Sequence, residues 1–387
     1  MRVRTFGAQL TIISVLAVAV AVLSWLAARA LNISVSSAKV QSQLGRVLGG
    51  VAERVGRSGA LSSLSSRVVT GEAIARNSRI TLNGSDMGGT RTPVYFLSHG
   101  GPNVIYQTDH PAYGKLGEIG KEITSKVQPK AVVVFSAHWQ GEPDTVLVNT
   151  AEMTDLIYDF YGFPAHYYDE KFPNVGSKSL AENILNRLRD AGIRARGVTR
   201  GLDHGVWASF KCAFNPQKNP LNVPIVQVSL FGSEDPASHV ALGRAVSALR
   251  EEGVVVIVSG MAVHNLRDLR LTWGDPTPLP YTSSFDEAVR EAVEGRKASE
   301  KSLKHASGQE VTEGSTEMMT DEMVTAREDR MKRLLRRTDA RQAHPTFDHL
   351  LPLYVGAGAA GHDQGKRVWT LTEGSMSWGM YKFGEVA

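Results

Sequence analysis

The chain of 387 residues has 42% hydrophobic and 21% charged side chains, a balance that excludes a disordered chain, a collagen-like repeat and a disulfide scaffold. Its one cysteine, Cys212, has no intramolecular disulfide partner, which is compatible with a reducing compartment without establishing one. The net charge of +4 hides an asymmetry, because residues 1–91 hold 11 Lys/Arg against 3 Asp/Glu and leave a slightly acidic body with 32 against 36, so no nucleic-acid partner is expected.

Arg2 and Arg4 precede an uncharged, mostly apolar run from Leu10 to Ala28. At about 1.5 Å per helical residue this run spans roughly a bilayer core, so a transmembrane anchor and a membrane location are expected. Two alternatives stand beside that reading. Ala27-Ala28-Arg29-Ala30 offers small residues for signal-peptide cleavage and the secretory pathway. The lack of acidic residues before Glu53, with Ser and Arg abundant through Arg79, fits a mitochondrial presequence. Residues 1–31 are therefore read as a targeting or anchor segment. Residues 32–91, rich in Ser, Gly and Arg, read as a linker.

From residue 92 the pattern becomes that of one α/β catalytic domain. Continuous apolar runs at Val94–Leu97, Ala131–Phe135, Val223–Leu230 and Gly253–Val258 predict strands buried on both faces. Helical stripes lie between them. Leu180, Ile184 and Leu188 form one, closed by Gly192; Asp235-Pro236 opens another carrying Leu242, Ala245, Val246 and Leu249. Ser284 and Glu287 predict a capping box for a third. The alternation predicts a mostly parallel central sheet flanked by helices on both faces. Residues 296–342 read as a polar, solvated insertion whose second half, Met323–Arg336, forms an amphipathic helix.

The histidines follow that architecture. His99 and His138 come at or just after the ends of the first two predicted strands, and His264 lies just beyond the strand ending near Ser259. Open α/β sheets bind ligands along the carboxyl edge of parallel strands, and imidazole is the commonest protein ligand for zinc, iron and copper. Three imidazoles at equivalent strand ends point to a metal. Glycines beside His99, His204 and His264 leave room near the backbone for a ligand. Asp203 either orients an imidazole or caps a turn. His110, His166 and His305 are expected at the surface, His239 in a helix-edge hydrogen bond, and His362 carries no signal.

Taken together, Phe96-Leu97-Ser98-His99-Gly100-Gly101-Pro102, Ser136-Ala137-His138-Trp139, Tyr158-Asp159-Phe160-Tyr161-Gly162-Phe163-Pro164, Leu202-Asp203-His204-Gly205-Val206-Trp207, Val263-His264-Asn265-Leu266-Arg267 and His349-Leu350-Leu351-Pro352-Leu353 occur in order. The series resembles the DODA-type extradiol ring-opening dioxygenases, the 4,5-DOPA dioxygenase group of the class III extradiol enzymes, from about Pro93 to the C-terminus. The resemblance implies one divalent metal per subunit, with metal-binding histidines at His99, His138, His264 and His349. It assigns proton transfer to His264, at or beside the metal, leaves His349 as the third ligand, and makes His204 a pocket residue that contacts substrate or dioxygen. Zinc is implied by the resemblance, whereas Fe(II) is expected for the oxygen chemistry, since zinc has no accessible redox change.

The substrate so implied is a small aromatic diol, a DOPA-like catechol, with O2 as co-substrate. Trp139, Tyr161, Phe163 and Trp207 are the candidates to stack on its ring. A zinc-dependent hydrolase, using the same ligands to activate water, is the alternative enzyme; a non-enzymatic metal-dependent binding protein is the alternative outside catalysis. The sequence leaves the oligomeric state open, with a homodimer, the commonest symmetric assembly, as the candidate.

Overall fold

The computed structural model describes residues 91–272, 274–295 and 318–386. Eight strands form the main sheet. They are β1 (Val94–Ser98), β2 (Ala131–Gln140), β3 (Val146–Asn149), β4 (Ala195–Val198), β5 (Ile225–Leu230), β6 (Val254–Gly260), β8 (Gly365–Trp369) and β11 (Met380–Phe383), in the order β4-β3-β5-β2-β6-β1-β11-β8. The central four, β5, β2, β6 and β1, are parallel. Antiparallel pairing appears at β3 with β5 and along β1-β11-β8. A second, three-stranded sheet joins β7 (Val263–His264), β10 (Met376–Ser377) and β9 (Thr372–Glu373).

Valine- and isoleucine-rich strands alternate their side chains between two cores, as a pleated strand must. Val94 and Phe96 face one apolar cluster, Tyr95 and Leu97 the other; Val133 and Phe135 oppose Val132 and Val134 in the same way. The first core is covered by α2 (Lys178–Asp190), α4 (Pro236–Val246), α6 (Pro280–Glu294), α7 (Asp321–Leu334) and α9 (Leu351–Ala360). The second is covered by α1 (Pro111–Glu122) and α3 (His204–Ala213). Two short helices, α5 (Leu266–Leu269) and α8 (Ala340–Ala343), complete the set. The chain is thus an α/β domain with a mostly parallel sheet covered on both faces.

Three local expectations change. The capping box at Ser284 lies inside α6, because Pro280 starts that helix a turn earlier; Ser284 instead hydrogen-bonds Asp339. The polar insertion is not solvated throughout: Met331 and Leu334 of α7 enter the first core, and Arg327 is fully buried. The Arg327 guanidinium donates to the carbonyls of Ala357, Gly361 and Asp363, satisfying the end of α9. The expected membrane location is corrected as well. Among the described residues no helix is long and apolar enough to cross a membrane, and Leu10–Ala28, which carried the transmembrane reading, lies outside them with the linker.

Candidate metal centre

Because β2, β6 and β1 are adjacent and parallel, their carboxyl ends deliver side chains to one place. His99 follows β1, His138 lies near the end of β2, and β6 leads through a tight connection to His264 on β7. His204 is the first residue of α3, and His349 ends a short 3-10 turn, Phe347–His349, before α9. The five imidazoles meet. Ring centroids of His99 lie 5.0 Å from His138, 5.7 Å from His204 and 5.3 Å from His349. His138 and His204 are 4.0 Å apart, and His264 stacks on His349 at 3.5 Å with planes 8° apart.

The hydrogen bonds fix which nitrogen of each ring faces its neighbours. Nδ1 of His138 meets Asp159 Oδ2 at 3.0 Å, and Nδ1 of His204 meets Asp159 Oδ1 at 2.9 Å. Nδ1 of His349 meets Asp348 at 3.0 Å, and Nδ1 of His99 meets the Gly100 carbonyl at 2.6 Å. Carboxylates and carbonyls only accept, so all four rings carry their proton on Nδ1 and keep a bare lone pair on Nε2. His99 Nε2 is buried with no hydrogen-bond partner among the described residues. Nε2 of His138 and of His349 face each other at 3.2 Å. Two bare lone pairs at that distance repel, and a shared proton or a bound cation would relieve the repulsion. The spacing matches the ~3.3 Å that separates two ligands of a tetrahedral ion with bonds of about 2.0–2.1 Å. His99, His138 and His204 also offer ligand nitrogens that all lie within 4.8 Å of one another. The donor set therefore fits a divalent metal ion.

The electrostatics agree. Burial, reinforced by the neighbouring imidazoles, holds His99, His264 and His349 well below the ordinary histidine range, so they are neutral and able to ligate or accept a proton. Burial also lowers His204. Burial opposes a charge on His138 too, but Asp159, Asp203 and Asp348 outweigh it and raise that one ring. Burial would raise the Asp159 carboxyl, yet its hydrogen bonds to His138 and His204 hold it well below the usual carboxylate range.

The glycines flanking these histidines make room for protein rather than for ligand. A Cβ at Gly100, which has φ +62°, would sit 2.0 Å from the Trp378 ring; one at Gly205 would sit 2.5 Å from Ser136 Oγ and 2.8 Å from the His138 ring. Asp203 neither orients an imidazole by a direct bond nor caps α3 with its side chain. It is fully buried and accepts from Ser136, Gln227 and Arg200.

The expected aromatic residues divide. Trp139 alternates away from His138 along β2 and lies buried under the Arg200 guanidinium, 4.6 Å from its ring centroid. Trp207 is fully buried, with Nε1 donating to the Ile157 carbonyl. Both are core residues, not ring platforms. Tyr161 is 90% exposed and points to solvent. Phe163 is half-buried and packs on Phe160, which in turn lies 5.6 Å from the His204 ring. Sequence reasoning missed Asp159, Asp348 and Phe160. Asp159 and Phe160 lie inside a motif already singled out and Asp348 immediately precedes another, and the signal for Asp159 was a lone carboxylate set between two aromatic residues.

Of the residues implied as ligands, His264 alone is badly placed to share an ion with His349. A ligating imidazole holds its metal in the ring plane, and two parallel planes 3.5 Å apart have no point in common. The carboxylates at the centre, Asp159 and Asp348, are taken up by imidazoles, which leaves neither as the general base a zinc hydrolase would require.

Comparison with known proteins identifies the family of the chain. The family described as the catalytic LigB subunit of aromatic ring-opening dioxygenase matches residues 92–382. A 4,5-DOPA dioxygenase extradiol of Beta vulgaris is 32% identical over 299 residues, covering 75% of this chain and 95% of that protein. A 4,5-DOPA dioxygenase extradiol of Escherichia coli K12 is 35% identical over 209 residues, 53% of this chain and 71% of that one. The crystal structure of an uncharacterized protein from Escherichia coli K12 superposes with a TM-score of 0.56 at 27% identity, over 76% of this chain and all of that one. The chain belongs to the LigB family of aromatic ring-opening dioxygenases, and it is an extradiol ring-cleavage enzyme.

Proposed function

We propose that the enzyme opens the ring of a catechol, a DOPA-like diol, with O2, at a centre where His99, His138 and His349 hold one divalent metal ion. The observation that carries this reading is the set of bare Nε2 lone pairs, above all the 3.2 Å approach of His138 to His349. Fe(II), when bound, supplies the electron relay between diol and dioxygen that zinc, lacking an accessible redox change, does not. His264 serves as the base for a substrate hydroxyl. Burial and the adjacent His349 keep it neutral, and its stacking on a ligand ring places it at the centre without competing for the ion. His204 presents its Nε2 to the same space, where it meets substrate or dioxygen. Phe163 and Phe160, not the two tryptophans, form the apolar wall next to it.

The test is to strip the protein of metal, reload it separately with Fe(II) and with zinc, and follow oxygen uptake with a panel of catechols, identifying products by mass. Turnover with iron alone, giving a product heavier by two oxygen atoms, is the expected result. Equal turnover with zinc would overturn the redox argument. No product from any catechol would overturn the substrate class.

A further inference from the structure

Asp159 is held before any ligand arrives. Its segment is pinned by the Ile157 backbone N–H donating to the Leu202 carbonyl at 2.7 Å and by Trp207 Nε1 donating to the Ile157 carbonyl at 3.0 Å. Tyr158 adds a hydrogen bond to the Glu170 carbonyl. From that fixed position one carboxylate serves two rings. Oδ2 takes the Nδ1 proton of His138 at 3.0 Å. Oδ1 takes both the Nδ1 proton of His204 at 2.9 Å and the His204 backbone N–H at 3.0 Å.

We infer that Asp159 is a positioning residue of the metal centre, a single carboxylate that locks two imidazoles, His138 and His204, in the Nδ1–H tautomer and so keeps both Nε2 lone pairs open. This inference rests on the metal reading proposed above. Carboxylates bonded to a ligating histidine commonly set its tautomer and orientation; here one residue does so for two rings drawn from a strand and a helix.

The arrangement makes the amide a more informative replacement than Ala. In Asp159→Asn the side chain keeps one acceptor oxygen, and His204 brings two donors to it. The amide NH2 is then left facing His138, whose Nδ1 has to accept, which moves the His138 proton onto Nε2. That proton occupies the lone pair meant for the metal. Ala leaves both rings free to choose either tautomer with water as partner. Asp159→Asn, the near-isosteric change, is therefore expected to harm metal binding at least as much as Asp159→Ala while harming stability less. A residue that merely braced the loop would give the same order in both measurements, with Ala worse.

The experiment uses the full chain freed of metal, zinc titration against a chromophoric chelator, and thermal melts of the same samples. Asp159→Asn is expected to weaken zinc affinity by about 10–100-fold with a melting temperature near wild type. An Asp159→Asn variant that folds and binds within about twofold of wild type overturns the clamp alone. Wild-type protein that takes up no zinc overturns the metal reading and the clamp with it. Nitrogen-15 NMR of the histidines in metal-free wild type, above the imidazole titration range, needs no variant. Nδ1–H signals for both His138 and His204 support the clamp, and a His138 ring protonated on Nε2 but not on Nδ1 overturns it.

Discussion

The two imidazole pairs at the centre are built in opposite ways. His138 and His204 lie 4.0 Å apart with planes inclined by 57°, and both give Nδ1 to Asp159. His264 and His349 lie 3.5 Å apart in nearly parallel planes, and Asp348 meets only the His349 ring of that pair among the described residues. A shared carboxylate dictates where each lone pair points, so both rings of the inclined pair turn a bare Nε2 away from Asp159. On the proposed reading, parallel stacking lets His349 hold the ion and leaves His264 beside it, kept neutral by burial and by His349. On that reading, ligation falls to His138 of the first pair and to His349 of the second, and proton transfer falls to His264.

Removing a ligand from the inclined pair is the harshest way to break that contrast. His138→Ala is expected to lower metal affinity by more than the ~100-fold upper range seen for residues that only orient ligands, and to take ring cleavage to background. Metal content after dialysis and oxygen uptake report it directly. A variant that keeps stoichiometric metal would move the ion away from His138.

The next largest effect falls on the stacked pair and separates its members. His264→Ala is expected to reduce kcat by about 10²–10⁴-fold, the usual worth of a positioned acid or base, with metal content unchanged. His349→Ala is expected to lose the metal. Should both variants lose it, His264 is a ligand after all and the parallel geometry seen here opens when the ion binds.

How much of this was visible beforehand follows from distance along the chain. The parallel core strands, and with them the placing of His99 and His138 at strand ends, are written in continuous valine-rich runs that need no partner to interpret. Strands β4 and β8 lack that signature because they lie at the edges and are only partly buried. Asp159 was legible as a carboxylate but not as a clamp, since His204 is 45 positions further on and meets it only once α3 is seated against β2. The stacking of His264 on His349 likewise exists only when the turn before α9 closes over β6. Trp139 was misread for a local reason: its neighbour His138 faces the site, so strand alternation turns Trp139 away.

Acid sharpens the comparison from the stability side, because the stacked pair has a third buried imidazole behind it. His344 is fully buried beside Phe285, donates from Nε2 to the Ala262 carbonyl at 2.9 Å, and has no partner on Nδ1 among the described residues. Burial lowers its pKa to about 4. Between that value and the ordinary ~6.5 the unfolded chain binds a proton that the folded chain refuses, so stability falls as pH drops through this window and no further below it. The contribution is up to roughly 3 kcal/mol. His344→Gln, which keeps the donor to Ala262 without the basic nitrogen, is expected to flatten the decline in denaturant midpoint of metal-free protein between pH 7 and pH 4.5. An unchanged slope would assign the acid sensitivity to the other buried histidines.

The smallest effect is expected two residues beyond Asp159, where the chain turns from site to solvent. Phe160 is buried against His204 and Phe163 packs on Phe160, but Tyr161 between them is 90% exposed, and Gly162 follows with φ +81°. A side chain with so little contact has little to lose, so Tyr161→Ala should leave stability within about 0.5 kcal/mol of wild type. KM for a catechol should be equally unmoved, whereas Phe163→Ala should raise it. A raised KM in the Tyr161 variant would show that this segment folds inward over bound substrate. The residues around Asp159 would then both fix the ligand rings and close the pocket above them.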